Sequence, residues 1–249
     1  MSRYFLKIAY SGVNYHGWQL QPGLETVQLK MEMALGLLLK HNCPVVGCGR
    51  TDAGVHASKY YLHFDTELEI EEKFVLKLNG ILPDDIVVYE CVEVKNTAHA
   101  RYDAIFRQYQ YKIHFYKNPF LKHLSILKRF DYDLEIMNEA AELIKQTKNF
   151  ASFCKSGTVV TTYLCDVSEA FWIRTNDQLI FTIGANRFLR NMVRSIVGTM
   201  LQLGNGRISL LEFAEIIESK DREKAGKSVE SWGLFLTNVV YPETIYADE

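Results

Sequence analysis

The chain has 249 residues, of which 48% are hydrophobic and 23% charged, with a formal charge of −2. That composition excludes wholesale disorder, a collagen and a coiled coil, and the length allows one large domain or two small ones to bury a sizeable core. The longest apolar run, Ala34–Leu39, falls far short of the ~18 residues a membrane span needs.

In chain order, Tyr4–Tyr10 alternates as a strand. No basic segment followed by an apolar one precedes it, so no secretory signal is expected and the expected location is cytoplasmic. A loop over 11–25 leads to a helix over 26–40, with Thr26 as its N-cap candidate. Val45–Cys48 and Tyr60–Phe64 read as strands around a turn-rich segment, Glu71–Asn79 as a helix and Ile86–Val94 as a strand. The second half repeats the order. Phe106–Tyr116 is a strand, Asp133–Thr147 a helix, and Tyr163–Arg174 with Gln178–Ile183 a hairpin. Arg187–Leu203 and Ser209–Ser219 read as helices and Leu234–Val239 as a last strand. Each half thus reads as βαββαβ, a ferredoxin-like (RRM-like) plan. The expected fold is α+β: two such halves, 1–100 and 101–249, with joined antiparallel sheets and a central active-site cleft.

The five cysteines are odd in number and form no CxxC, which points to reduced thiols and away from a disulfide scaffold or a zinc site. Charge is strongly segregated. Residues 101–129 carry seven bases against Asp103, a net +6, and residues 184–207 carry four arginines and no acid. Residues 65–94 carry nine acids and two bases, a net −7. Such a chain can present one basic face while staying near neutral overall.

Three constellations carry chemistry. The densest is the run 47–57, with glycines at 47, 49 and 54 around Arg50, Thr51 and Asp52, then His56. The glycines permit tight turning and close approach of a ligand to backbone. Asp52 on the bend is either an Asx-turn residue or an acid presented to a ligand, and His56 reads as a hydrogen-bonded structural residue. The second is the helix over 187–203. On it Arg187, Arg190 and Arg194 fall at i, i+3 and i+7 and share a stripe opposite the apolar face. The stripe would meet phosphates, or one member would pair with a buried carboxylate and hold it ionised. The third is the strand 107–112, where Arg107, Tyr109 and Tyr111 share one face. Rings interleaved with bases on a sheet suit single-stranded RNA; they also suit a half-buried strand. No GxxxxGK[ST], HExxH or GxSxG occurs, so nucleotide hydrolysis, zinc proteolysis and serine esterase chemistry lose support.

The run Gly49-Arg50-Thr51-Asp52-Ala53-Gly54-Val55-His56-Ala57 resembles the signature of the tRNA pseudouridine synthase A family. Tyr15-His16-Gly17-Trp18-Gln19-Leu20-Gln21, Leu82-Pro83-Asp84-Asp85-Ile86, His99-Ala100-Arg101-Tyr102, Arg107-Gln108-Tyr109-Gln110-Tyr111, Phe150-Ala151-Ser152-Phe153 and Phe188–Arg194 resemble further motifs in the family's order. The resemblance implies isomerisation of uridine to pseudouridine in the anticodon stem-loop of tRNA, typically at positions 38, 39 and 40. It also implies a homodimer with no metal or cofactor. Carried over by motif, Asp52 matches the catalytic aspartate, Arg194 its ion-pair partner, Tyr109 the tyrosine against the target base, and Arg50 the arginine that opens or holds the site. Thr51, Arg101, Arg107, Arg187 and Arg190 are the further substrate-binding candidates. Ser11 and the run 231–234 depart from the family pattern without touching these positions. The rival readings are a catalytically silent RNA-binding module or RNA chaperone, and a metal-dependent RNA hydrolase.

Overall fold

A computed structural model describes residues 1–175 and 177–246. The elements in chain order are β1 (Ser2–Tyr10), α1 (Val27–Leu39), β2 (Val46–Gly47), β3 (His56–Thr66), α2 (Phe74–Asn79), β4 (Ile86–Val94), β5 (Phe106–His114), β6 (Ile126–Leu127), α3 (Leu134–Gln146), β7 (Val167–Arg174), β8 (Gln178–Ala185), α4 (Met192–Gly204), α5 (Leu210–Ser219) and β9 (Leu234–Val240). The chain is mixed α+β, with mostly antiparallel strand pairing. No described helix is long and apolar enough to cross a membrane.

The chain divides into two compact units, one of residues 1–106 with the segment from Phe235 onward, the other of residues 107–234. The terminal segment, read from sequence as part of the second half, clusters with the first unit. There β9 runs parallel to β3, with His56 opposite Phe235 and Ala57 opposite Leu236. Short-range periodicity identifies this strand but cannot say which distant neighbour it pairs with.

In the first unit β1 is central, antiparallel to β3 and to β4, and β2 pairs with β3. Alternation puts Tyr4, Leu6 and Ile8 into the core, opposite Phe64, Leu62 and Tyr60. Thr26 caps α1, its hydroxyl accepting from the Leu29 N–H at 3.3 Å. Val27, Met31, Leu35 and Leu39 recur every four residues and form the buried stripe of α1. Phe74 at the start of α2 lies 6.0 Å from the Phe64 ring, which fixes the helix against the sheet.

In the second unit β8 lies between β5 and β7, antiparallel to both, and β6 runs parallel to β5. Asp133 caps α3, and a Ser209–Glu212 capping box starts α5. Trp172 on β7 lies 4.8 Å from Phe181 on β8 and donates its indole N–H to Met200 Sδ on α4. That side chain locks helix to sheet.

Candidate active site

The first unit, taken by itself, holds the loop between β2 and β3. Backbone contacts with the chain segment before α1 hold it. The Trp18 N–H donates to the Thr51 carbonyl at 3.2 Å, the Gly54 N–H to Tyr15 O at 3.3 Å, and the Val55 N–H to Asp52 O at 3.1 Å. The carbonyls on and before the bend are thereby satisfied, so the partly exposed Asp52 carboxylate is carried on a braced backbone. Two glycines let the segments approach. A Cβ on Gly17 (φ +90°) would stand 2.4 Å from Thr51 O, and one on Gly12 would stand 2.1 Å from Val55 O. Below the loop, Trp18 and Tyr60 lie 4.3 Å apart, with Tyr10 5.5 Å from Tyr60. Their hydroxyls reach the loop: Tyr60 donates to Gly49 O at 2.5 Å, and Tyr10 shares a 2.8 Å bond with buried Thr51 Oγ1. Arg50 is exposed beside this frame.

His56 is structural in this setting. Its buried ring stacks on Phe235 at 4.5 Å, and Nδ1 accepts from the Gly12 N–H. Asp85 also braces the segment before α1, accepting from Asn14 at 2.9 Å and from the Tyr15 hydroxyl. Burial and the adjacent Asp85 push the Tyr15 phenol well above its ordinary range.

Arg101 stands in the same unit, on the turn after β4. The Ala100 N–H donates to His63 Nδ1 and Ala100 O accepts from the Tyr241 hydroxyl at 2.5 Å. His63 is buried, and burial together with neighbouring Arg3 and His99 pulls its pKa down to about 4.

The second unit, taken by itself, holds β5 and the segment before α4. Tyr109, half-buried on β5, meets the Phe188 ring edge-on at 5.1 Å. Arg107 donates to Asn186 O at 2.8 Å. The strand therefore holds the 186–190 segment at its side. Tyr111, two residues on from Tyr109, is fully buried and donates to Glu230 O at 3.0 Å. Of the alternating tyrosines, Tyr111 belongs to the core, and burial pushes its phenol far up.

The expected helix over 187–203 begins only at Met192. Asn191 adopts the left-handed conformation (φ +65°) and breaks the turn before it. The Arg190 carbonyl accepts instead from the Lys155 N–H at 3.0 Å. Arg187 and Arg190 therefore precede the helix, Arg190 exposed and Arg187 partly so, and the three arginines do not form one helical stripe. Arg194 alone is helical. Its Nε donates to Val229 O at 2.8 Å, and its own carbonyl accepts from the Val229 N–H at 3.2 Å. The 225–230 segment approaches α4 through small residues. A Cβ on Gly198 would stand 1.9 Å from Lys227 O, and one on Gly226 would stand 3.0 Å from Thr199 N.

All five cysteines are free thiols. Burial pushes Cys43 and Cys91 up to about 12 and Cys165 up to about 11, which suits packing residues and not thiolate nucleophiles. Several positioning groups are invisible to local sequence reading: the Gly12 and Gly17 approaches, the Val229 clamp and the Gly198 notch. Their partners lie between 29 and 43 residues away in the chain. Tyr10 and Tyr60 stand in the sequence only as end residues of expected strands, with nothing to mark their bonds to the loop.

Comparison with known proteins complements this geometry. A family model described as tRNA pseudouridine synthase matches residues 140–242. A protein of Parabacteroides distasonis is 47% identical over 251 residues, covering 100% of both chains. One of Azobacteroides pseudotrichonymphae is 45% identical, covering 99% of each. One of Bacillus subtilis is 41% identical, covering 94% of this chain and 97% of its own. Each of these relatives bears the name tRNA pseudouridine synthase A.

Proposed function

The chain belongs to the tRNA pseudouridine synthase A family, and from that premise we propose that it isomerises uridine to pseudouridine in the anticodon stem-loop of tRNA, at positions 38, 39 and 40. The observation that carries this reading is the braced 49–57 loop, which presents a partly exposed carboxylate on backbone clamped by Trp18, Gly17 and Tyr15. Asp52 is the catalytic group.

The chemistry sets its role. The C1′–N1 bond breaks, the uracil turns, C5 joins C1′, the C5 proton leaves and N1 gains one. The base cannot turn inside a helical stack, so it is flipped into the site. Asp52 either attacks C1′, as the nucleophile of a retaining glycosidase does, or takes the 2′ proton on the way to a glycal. Both routes need the ionised carboxylate. Arg194 is its ion-pair partner, and the Val229 clamp on the Arg194 Nε supports that assignment by fixing the guanidinium. Tyr109 stacks on the target base, and its edge contact with Phe188 supports a fixed ring. Arg50 and Thr51 hold the target nucleotide, while Arg101, Arg107, Arg187 and Arg190 meet phosphates and make affinity salt-dependent.

The fold we assign is two ferredoxin-like halves with joined sheets and a central cleft. The N-terminal half carries the Asp52 loop, and the C-terminal half carries Tyr109 and most of the arginines. The element order βαββαβ and strand order β4-β1-β3-β2 of the first unit support this. We also assign a cytoplasmic homodimer that needs neither metal nor cofactor. Position-resolved mapping of pseudouridine in tRNA transcripts treated with the protein is the test. Pseudouridine at 38, 39 or 40 supports the assignment. Pseudouridine elsewhere overturns the site choice, and none at all overturns the activity.

A further inference from the structure

The turn of residues 98–103 is fixed far beyond what an exposed loop requires. Side chains or backbone accept from five successive N–H groups. His99 N–H donates to Asp103 Oδ2 at 2.7 Å, Ala100 N–H to His63 Nδ1 at 3.1 Å, Arg101 and Tyr102 N–H to His99 Nδ1 at 3.1 and 3.3 Å, and Asp103 N–H to His99 O at 3.0 Å. Arg3 donates to Ala98 O at 2.7 Å, and the Tyr241 hydroxyl holds Ala100 O. At the tip of this frame Tyr102 is 74% exposed. The His99 imidazole lies 4.3 Å from its ring, and the Arg101 guanidinium carbon 5.7 Å from the ring centre.

Beside the ring opens a pocket of ≈ 430 Å³, lined by Lys95, Tyr102, Asp103, Ile105, Pro242 and Thr244 among others. Its volume lies within the range of about 300–1,000 Å³ usual for small-ligand sites. One cation and one carboxylate line it, so the lining is neutral and favours a neutral group over a phosphate. An exposed aromatic ring on a fixed backbone, with an arginine beside it, is an arrangement that stacks unpaired bases while a cation holds the adjacent phosphate.

We propose that Tyr102 and this pocket form a second nucleotide site, distinct from the Asp52 loop, that stacks an unpaired base of the tRNA while Arg101 holds the neighbouring phosphate. The site rests on the reading of tRNA as substrate. It explains why so many groups converge on the backbone of a turn that carries no catalytic residue: fixing that backbone before binding lowers the entropic cost of stacking.

The test compares wild type, Tyr102→Ala and Tyr102→Phe on full-length tRNA transcripts. It reads Kd by filter binding, KM and kcat by release of tritium from uracil C5, and Tm. Tyr102→Ala is expected to raise Kd and KM about tenfold, within the range alanine substitution produces for one stacked base, with kcat changed less than twofold and Tm unmoved. Tyr102→Phe, which keeps the ring, restores wild-type Kd and KM. Unchanged Kd in Tyr102→Ala overturns the proposal, as does a loss of kcat or Tm without a change in Kd, because either assigns Tyr102 another role. A wild type that releases no tritium overturns the isomerase reading alone, and the Kd comparison still decides the second site.

Discussion

The Asp52 loop and the Arg194 helix place their functional side chains by different means. Asp52 stands on irregular backbone. Its position depends on one segment of chain lying directly on another, through Gly12 and Gly17, with tyrosine hydroxyls beneath. Arg194 stands on a regular helix, and a reciprocal pair of bonds with Val229 fixes it from outside. A loop so built has no helical hydrogen-bond ladder to fall back on, so changes in the supporting segment reach the carboxylate directly. A helix keeps its own backbone when its clamp loosens, and only the side chain is released.

That contrast predicts an order of effects. Gly17→Ala is the most damaging. The new Cβ meets Thr51 O at 2.4 Å, and the φ of +90° is strained for any L side chain. We expect a loss of about 3 kcal/mol or more, read as a lowered urea midpoint, with activity falling in the protein that remains folded. A stable, fully active Gly17→Ala variant would break the comparison. Gly198→Ala comes next. Its Cβ meets Lys227 O at 1.9 Å but the residue is helical, so the 225–230 segment shifts outward while α4 persists. We expect a cost of about 1–3 kcal/mol and a drop in kcat through loosening of Arg194, with the helical circular dichroism retained.

The smallest effect is a pH dependence that belongs to the first unit. His63 titrates near 4 when folded, against about 6.5 for a free histidine. Between these values the unfolded chain binds the extra proton, so stability is complete above about pH 6.5 and declines as pH falls toward 4. Urea midpoints at pH 7 and pH 5 should therefore differ more in the wild type than in His63→Asn. Equal differences would remove His63 from the account.

Much of the architecture was legible in sequence because its signals are local. Alternation located β4 to the residue and β9 to within one, and Thr26 announced α1 as its cap, whereas the caps Asp133 and Ser209 emerged only in the fold. The misplaced start of α4 shows the limit. The run 187–203 has helical apolar spacing throughout, but the positive φ at Asn191 breaks it, and side-chain periodicity does not report the sign of φ. The clamps escape for a different reason. Gly17 against Thr51 and Gly198 against Lys227 depend on backbones meeting across long loops, and neither run of sequence names its partner. The candidate site residues were found as motifs, while the groups that hold them in place were found only in the fold.

The central claim is that the Asp52 carboxylate, carried by its braced loop, performs the isomerisation. Transcripts of tRNA bearing tritium at uracil C5, incubated in chelator with wild type and with Asp52→Asn, test it most directly, since the C5 proton leaves only when C5 takes C1′. The account predicts tritium release by the wild type and release at least about 10³-fold slower by Asp52→Asn, with tRNA affinity kept within a few fold. Release by Asp52→Asn at the wild-type rate would contradict it.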